Sequence, residues 1–273
     1  MKDALIVTLL SVVPRNRGAR AMGWFARSAP SRWITRTFVR IYGVDLSEAE
    51  GTLSDYPTLE ALFTRKLKPG VRPVDPTPGV VVSPVDGRCA AVGRTTNGTL
   101  PLTPERTLDI ANLVGEPLDG ECEVAVLYLS PKDYHRVHAA CDGNATLWRY
   151  LPGTLWPVFP AAVRKVQGLF SRNERLTLAQ DTDLGTVFTV LIGAFGVGRI
   201  TSPLCDCITN TGGQGGEAPL DVHVHRGDEV GTFHLGSTVV LVLPAGSARF
   251  TVLPGEPVRM GQAIAEPPRQ LAG

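Results

Sequence analysis

The chain has 273 residues, of which 43% are hydrophobic and 19% charged, and this composition excludes wholesale disorder. Its formal net charge of +1 excludes a polycation built to bind nucleic acid. The 29 glycines and 22 prolines have no three-residue period, and the five cysteines are scattered, which excludes collagen and a disulfide framework and favours a β-rich body in a reducing compartment.

The N-terminal arm is strongly basic. Residues 1–40 contain eight basic residues and a single acidic one, a net charge of +7 that leaves −6 for the remainder of the chain. This asymmetry indicates an anionic surface as a partner. Residues 4–13 are almost wholly apolar, but a bilayer span needs roughly 20 residues. A signal peptide is the alternative, although Ala19-Arg20-Ala21 is a poor cleavage site beyond Pro14.

The segment from Ser31 to Tyr42 has the spacing of an amphipathic helix. Its basic residues lie four apart and form one stripe, and its apolar residues Ile34, Phe38, Ile41 and Tyr42 follow helical spacing on another face. A basic and aromatic helix of this kind is typical of an interfacial membrane contact. We therefore predict membrane contacts at Trp24, Arg32, Trp33, Arg36 and Arg40. The alternative is a surface helix that packs its apolar face on the body.

After this helix the pattern predicts one more helix and then strands. Leu59, Leu62, Phe63 and Leu67 mark a second amphipathic helix, which begins near Pro57 and ends at Pro69-Gly70. Short β-branched runs follow, at Val80–Val82, Val124–Leu129, Thr186–Ile192 and Val239–Leu243. The last run has no polar alternation, so we expect a strand buried on both faces. Thr211–Gly216 is expected to be a flexible loop.

These elements predict an α+β fold. Short amphipathic helices for membrane contact occupy residues 1–45, and residues 46–273 form a single β-rich catalytic body.

Three short segments contain residues that could perform chemistry. The first is Ser83–Gly87, in which Asp86 follows a strand. The second is Tyr128–His138, which contains two of the five histidines directly after a buried strand; His135 and His138 would share one face if this turn were helical. The third places Gly236-Ser237 at the mouth of the buried strand. Each has a structural alternative: a simple turn, two exposed histidines and hydrogen-bonded hydroxyls, respectively.

Together, Asp86, His138 and Ser237 raise the hypothesis of a catalytic triad. The Gly-x-Ser-x-Gly motif of many hydrolases is absent around Ser237. A hydroxyl buried beside the following strand has little room for a bulky acyl substrate, but it can attack its own preceding carbonyl. A metal site at Cys205-x-Cys207 and His223-x-His225 lacks the usual zinc spacing, and we predict none.

In their order along the chain, the three segments resemble the phosphatidylserine decarboxylases of the bacterial membrane-associated type. The matching motifs are Ser83–Gly87, Tyr134–His138 and Leu235–Thr238. Further similarity runs through Phe63–Pro73, Leu169–Arg175 and Ile192–Gly198, so the resemblance covers residues from about 60 to about 245. The glycine-rich loop at residues 211–216 and the pair His223 and His225 match no feature of that family.

The resemblance implies self-cleavage between Gly236 and Ser237 into a β chain, residues 1–236, and an α chain, residues 237–273. Ser237, activated by His138 and Asp86, would attack the Gly236 carbonyl, and elimination and hydrolysis would leave a pyruvoyl group at residue 237. This cofactor forms a Schiff base with phosphatidylserine and accepts the electron pair released with CO2. By the same resemblance, His135 is the proton donor.

The resemblance also implies partners and a location. The substrate is phosphatidylserine, the product is phosphatidylethanolamine, and the two chains remain associated on an anionic surface at the cytoplasmic face of the cell membrane. A homodimer stays open, and no nucleic acid is expected. Three other interpretations stay open as well: a serine hydrolase that uses the same three residues, a non-enzymatic membrane scaffold, and the same chemistry on another lipid, such as an archaetidylserine-type substrate.

Overall fold

The computed structural model describes residues 15–196 and 198–268. The apolar run at residues 4–13 lies outside the described residues. The helices are α1 (Arg15–Arg27), α2 (Arg32–Tyr42), α3 (Leu59–Phe63), α4 (Ile110–Val114), α5 (Pro160–Lys165) and α6 (Leu169–Arg172). The strands are β1 (Val81–Val82), β2 (Gly87–Arg94), β3 (Thr99–Thr103), β4 (Arg106–Asp109), β5 (Cys122–Leu129), β6 (Arg136–His138), β7 (Gly143–Leu151), β8 (Arg175–Thr182), β9 (Gly185–Gly193), β10 (Ile200–Ser202), β11 (Cys205–Ile208), β12 (Gly216–Val224), β13 (Glu229–Phe233), β14 (Ser237–Pro244), β15 (Arg249–Phe250), β16 (Pro257–Val258) and β17 (Ala263–Glu266).

The largest sheet has eight strands in the order β12-β7-β8-β9-β14-β5-β2-β16, and each neighbouring pair is antiparallel. Strand β14 pairs with β9 on one side and with β5 on the other. The four strand runs predicted from the sequence are confirmed as β1, β5, β9 and β14. A four-stranded sheet, β11-β10-β13-β6, and a three-stranded sheet, β1-β17-β15, complete the body with the β3-β4 hairpin.

Side chains of β14 alternate between two hydrophobic cores. Val239, Leu241 and Leu243 belong to one core, which also contains residues of β6, β10 and β13. Val240 and Val242 belong to the other, which contains residues of helices α4, α5 and α6. The strand is therefore covered on both faces, as its unbroken apolar sequence predicts. This arrangement confirms the α+β class, with short N-terminal helices before a β-rich body.

Helix α3 is shorter than the sequence predicts. It ends at Phe63, so the expectation that Leu67 continues the same helix is wrong. The Thr64 hydroxyl donates to the Glu60 carbonyl at 2.9 Å, and the chain after it pairs with another segment instead of continuing the helix. The backbone N–H of Lys68 donates to the Glu48 carbonyl, and Leu67 forms a bridge with Ala49. Apolar spacing alone does not reveal this non-local pairing.

Helix α2 is formed as predicted, and its two sides have different surroundings. Thr35 is buried, and Phe38 and Val39 pack against a small core shared with α1 and α3. The side away from the body leaves Trp33 87% exposed and Ile41 70% exposed. Trp24 on α1 is 70% exposed. Within the described residues, no helix combines the length and apolar character needed to cross a membrane.

Candidate active site

Ser237 is the first residue of β14 and is fully buried. It pairs with Leu129, the last residue of β5, and with Gly193, the last residue of β9. Gly236 before it has a φ of 58°, in the left-handed region that favours glycine, and this conformation turns the chain into the strand. The Ser237 hydroxyl has no hydrogen-bond partner among the described residues. The structure thus places a buried hydroxyl without a hydrogen-bond partner among the described residues at one end of the central sheet.

The segment that contains Asp86 lies at the same end of the sheet. Asp86 directly precedes β2, where Arg88 pairs with Tyr128 of β5. A Cβ on Gly87 would lie 2.4 Å from the Tyr128 carbonyl oxygen, so this close approach requires glycine. Asp86 is largely buried, and Arg72 donates to both of its carboxylate oxygens at 2.6 to 3.1 Å.

His138 reaches this region because β6 passes beside the Asp86 segment. Its backbone N–H donates to the Pro84 carbonyl at 2.9 Å. On the side chain, Nδ1 donates to the Gly227 carbonyl at 2.7 Å, and the Tyr134 hydroxyl donates to Nε2 at 3.0 Å. Burial lowers the pKa of His138, although the Gly227 carbonyl opposes this shift. The imidazole is therefore neutral at physiological pH, with its proton on Nδ1.

His135 lies on the loop that joins β5 to β6 and is completely buried. Its ring packs against Phe63 of α3 with 4.0 Å between ring centroids, and Nδ1 donates to the Asp133 carbonyl at 2.8 Å. Nε2 has no partner among the described residues. Burial lowers the pKa of His135 to about 3. The Phe233 N–H donates to the His135 carbonyl at 2.9 Å, which places this histidine beside the chain that leads to Ser237.

Two features of these residues bear on the predicted triad. The segment of His135 and His138 ends in the strand β6, so it is extended rather than helical. Residues three apart in an extended chain point to opposite sides, and the two imidazoles accordingly contact different neighbours. In addition, no hydrogen bond joins Asp86 to His138 among the described residues. Asp86 instead accepts from Arg72 and from the Met260 N–H at 2.9 Å, and the Gly227 carbonyl orients His138.

The structure brings Ser237, Asp86, His135 and His138 to one end of the sheet, but their catalytic roles remain predictions. The arrangement provides a buried hydroxyl, a neutral imidazole and a second imidazole whose Nε2 has no hydrogen-bond partner among the described residues. The sequence patterns indicate no role for Tyr134 or Arg72, although both residues lie within the segments that resemble the family. Arg72 contacts Asp86, 14 residues further along the chain, and Tyr134 contacts His138 within an extended segment, so residue spacing predicts neither contact.

The pairs considered as metal ligands lie elsewhere. Cys205 and Cys207 are on β11, and His223 is near the end of the edge strand β12, followed by His225. The two imidazole rings lie 4.8 Å apart. No group of three or more His, Cys, Asp or Glu side chains could hold a metal ion within the part of the chain that the structure describes.

A buried serine between two sheet neighbours, with two buried histidines at the same end of the sheet, defines a candidate enzyme site. The sequence profile of the phosphatidylserine decarboxylase family matches residues 59–266. A phosphatidylserine decarboxylase proenzyme of Anaeromyxobacter sp. (strain K) is 41% identical over 97% of the chain and 99% of the relative. Proteins of the same name from Halorhodospira halophila and Myxococcus xanthus are 41% and 39% identical, over 88% and 89% of the chain and 87% and 90% of the relatives. The chain belongs to the phosphatidylserine decarboxylase family, which confirms the predicted resemblance and enzyme class.

Proposed function

We propose that this protein cleaves itself between Gly236 and Ser237 and then decarboxylates phosphatidylserine to phosphatidylethanolamine. The observation that carries the proposal is the Ser237 hydroxyl, which is buried at the start of the central strand without a partner among the described residues. Family membership supports it, because the curated relatives are named proenzymes. Unpaired buried hydroxyls are uncommon in folded proteins and often mark functional sites.

Self-cleavage begins when the Ser237 hydroxyl attacks the Gly236 carbonyl and forms an ester in place of the amide. A serine hydroxyl is a weak nucleophile and needs a base. His138 has the required protonation, because its Nδ1 proton is held by Gly227 and its Nε2 lone pair faces the Tyr134 hydroxyl. A proton from Ser237 reaches Nε2 either through this hydroxyl or after Tyr134 turns away. Loss of the proton on Cα of residue 237 then eliminates the ester and divides the chain.

The elimination leaves dehydroalanine at residue 237, and hydrolysis by one water would convert it to a pyruvoyl group with release of ammonia. The surrounding residues fit such a group. The site is closed to bulk water, since Ser237 and His135 are both fully buried. When present, the ketone takes the substrate amine and accepts the electron pair released with CO2. His135 Nε2 carries a lone pair, because Nδ1 holds the ring proton against Asp133. Once protonated at this nitrogen, His135 can deliver a proton to the α-carbon, which is the role that the family resemblance implies for it.

The N-terminal helices support a peripheral location on an anionic membrane, at the cytoplasmic face in a bacterial cell. A lipid headgroup lies at the bilayer surface, so the enzyme must reach that surface. The exposed side of α2 presents Arg32, Arg36 and Arg40 next to Trp33 and Ile41, which suits the boundary between headgroups and acyl chains. This combination also disfavours the alternative in which the entire apolar face of the helix packs on the body.

Denaturing electrophoresis and mass spectrometry of the purified protein test the proposal. We expect two bands, with a fragment that starts at residue 237 and is about 17 Da lighter than the encoded peptide, because pyruvoyl replaces the N-terminal serine. The N-terminus should resist Edman degradation. Ser237→Ala should remain one inactive chain. An intact, unblocked and active wild-type chain would overturn the proposal and favour a serine hydrolase.

The role of His135 needs a separate variant. We expect His135→Ala to cleave itself, because Ser237 and His138 are unchanged. It should release no CO2 from phosphatidylserine, because the proposed proton donor is missing. A fully active His135→Ala protein would remove this residue from the mechanism.

A further inference from the structure

A partly buried polar cluster holds the chain just before the proposed cleavage point. His234 is three residues ahead of Ser237, and its Nδ1 donates to Glu60 Oε1 at 2.8 Å. Arg199 donates to the same carboxylate oxygen at 3.1 Å. The Thr201 hydroxyl donates to His234 Nε2 at 3.0 Å, and the His234 N–H donates to the Arg199 carbonyl at 3.0 Å. His234 is therefore fixed at its backbone and at both ring nitrogens.

Glu60 is ionised in this cluster. Burial raises the pKa of its carboxyl group, but the hydrogen bond from His234 and the positive charge of Arg199 outweigh burial and lower the pKa below its usual value. The side chains of Glu60 and His234 are only 16% and 13% exposed, so solvent screens their interaction weakly. The hydrogen bond is charge-assisted and stronger than a neutral one.

Helix α3 contacts the candidate site at two points. Glu60 and Phe63 lie one turn apart on this helix, which puts them on neighbouring parts of one face. Glu60 binds His234, whereas Phe63 packs against the His135 ring. Helix α3 thus contacts both the segment before the proposed cleavage point and His135, the proposed proton donor in decarboxylation.

We propose that Glu60, acting through His234, is a positioning residue for self-cleavage. The proposal rests on the proposed function, because it concerns the same Gly236–Ser237 bond. Ser237 is held on one side of this bond by its pairing with β5 and β9. On the other side Gly236 is conformationally permissive, and the nearest side chain fixed by polar contacts is His234. Glu60 therefore limits the positions of the Gly236 carbonyl to those that the Ser237 hydroxyl can attack.

The test is the rate of self-cleavage after cell-free synthesis, followed on denaturing gels. We expect Glu60→Ala and His234→Phe each to cleave at least tenfold more slowly than the wild type. Glu60→Gln should recover most of the rate, because its amide oxygen still accepts from His234. The double variant Glu60→Ala/His234→Phe should be no slower than the slower single variant, since both changes remove one interaction. Glu217→Ala, which removes another carboxylate paired with an arginine, Arg149, is the matched control and should cleave normally.

The outcomes separate this proposal from the proposed function. A wild-type chain that never cleaves would contradict the function itself. Wild-type cleavage together with a normal rate for Glu60→Ala, or independent effects that multiply in the double variant, would overturn the role of Glu60. The same substitutions in an uncleavable Ser237→Ala background report on folding through their melting temperatures. A slow Glu60→Gln variant whose background melts like Ser237→Ala would also overturn the positioning role, since the hydrogen bond would then be insufficient.

Discussion

His138 and His135 lie where water has little access, and burial determines the protonation of both. The pKa of each imidazole is below its ordinary value of 6.5 because the charged form loses hydration. Each ring also donates from Nδ1 to a backbone carbonyl, and so each presents Nε2 as the acceptor. Both imidazoles are therefore neutral at physiological pH, with the lone pair on Nε2.

This protonation state predicts the pH dependence of self-cleavage. A base must be neutral to act, and the lowered pKa of His138 keeps it neutral below pH 6.5. We expect the cleavage rate to fall on acidification, as His138 becomes protonated, with a midpoint below pH 6.5. Cleavage of freshly synthesised chain in buffers from pH 5 to 8 measures this dependence. A midpoint at or above 6.5 would be inconsistent with a buried neutral base.

The pairing of Asp86 with Arg72 leads to a second test at this scale. We expect Asp86→Asn to slow self-cleavage, either because Asp86 acts on His138 during the reaction or because its contact with Arg72 shapes the site. Arg72→Gln distinguishes the two, since it removes the partner and leaves the carboxylate. Slowing by Asp86→Asn alone would support a direct role, and equal slowing by both variants would support a structural one. Normal cleavage by Asp86→Asn would exclude the residue from the triad.

At the scale of elements, the sequence predicted strands well wherever apolar or β-branched residues followed one another without interruption. Strands β5, β9 and β14 have continuous β-branched or apolar runs, and they form the middle of the sheet. Strands β7 and β8 were not predicted, because Asn144, Arg149 and Gln180 interrupt their apolar pattern. These polar side chains have partners far away in sequence; Gln180, for example, donates to the Cys141 carbonyl. Local patterns contain no record of such contacts.

The candidate site shows the same limit. The motifs singled out Asp86, His138 and Ser237, which lie at one end of the sheet, and the triad that they would form stays a prediction. They did not reveal that Arg72 would donate hydrogen bonds to Asp86 or that a backbone carbonyl would orient His138. A carbonyl partner such as Gly227 is independent of side-chain identity, so residue type gives no signal for it.

Helix α2 gives a prediction about membrane binding. We expect the triple change of Arg32, Arg36 and Arg40 to Ser to weaken partition into anionic vesicles by about a hundredfold at low salt, since each basic residue near such a surface contributes about 1 kcal/mol. Co-sedimentation with anionic and neutral vesicles measures the effect. The matched control changes the exposed Arg94, Lys165 and Arg249 to Ser, and it should bind normally. Equal losses in both variants would show that net charge, rather than this helix, governs binding.

For the whole molecule, the position of β14 determines what self-cleavage does to stability. Strand β14 has a neighbour on each side along most of its length and contributes to both cores. The proposed cut lies at the beginning of the strand, so it removes none of these pairings. We expect the two chains to migrate as one species in native size exclusion and to separate only in denaturant. Dissociation without denaturant would contradict this assignment of the cleavage point.

Because β14 pairs on both sides, the chain folds more readily before it is cleaved than after. Before the cut, β14 enters the gap between β9 and β5 as part of the same polymer, and its local concentration is fixed by the connecting loop. After the cut, an unfolded fragment has to find its partner by diffusion, and recovery becomes a bimolecular reaction that slows in proportion to dilution. For the intact chain, by contrast, we expect refolding to be unimolecular and independent of dilution. Once unfolded, the cleaved protein regains its fold more slowly the more dilute its two chains are.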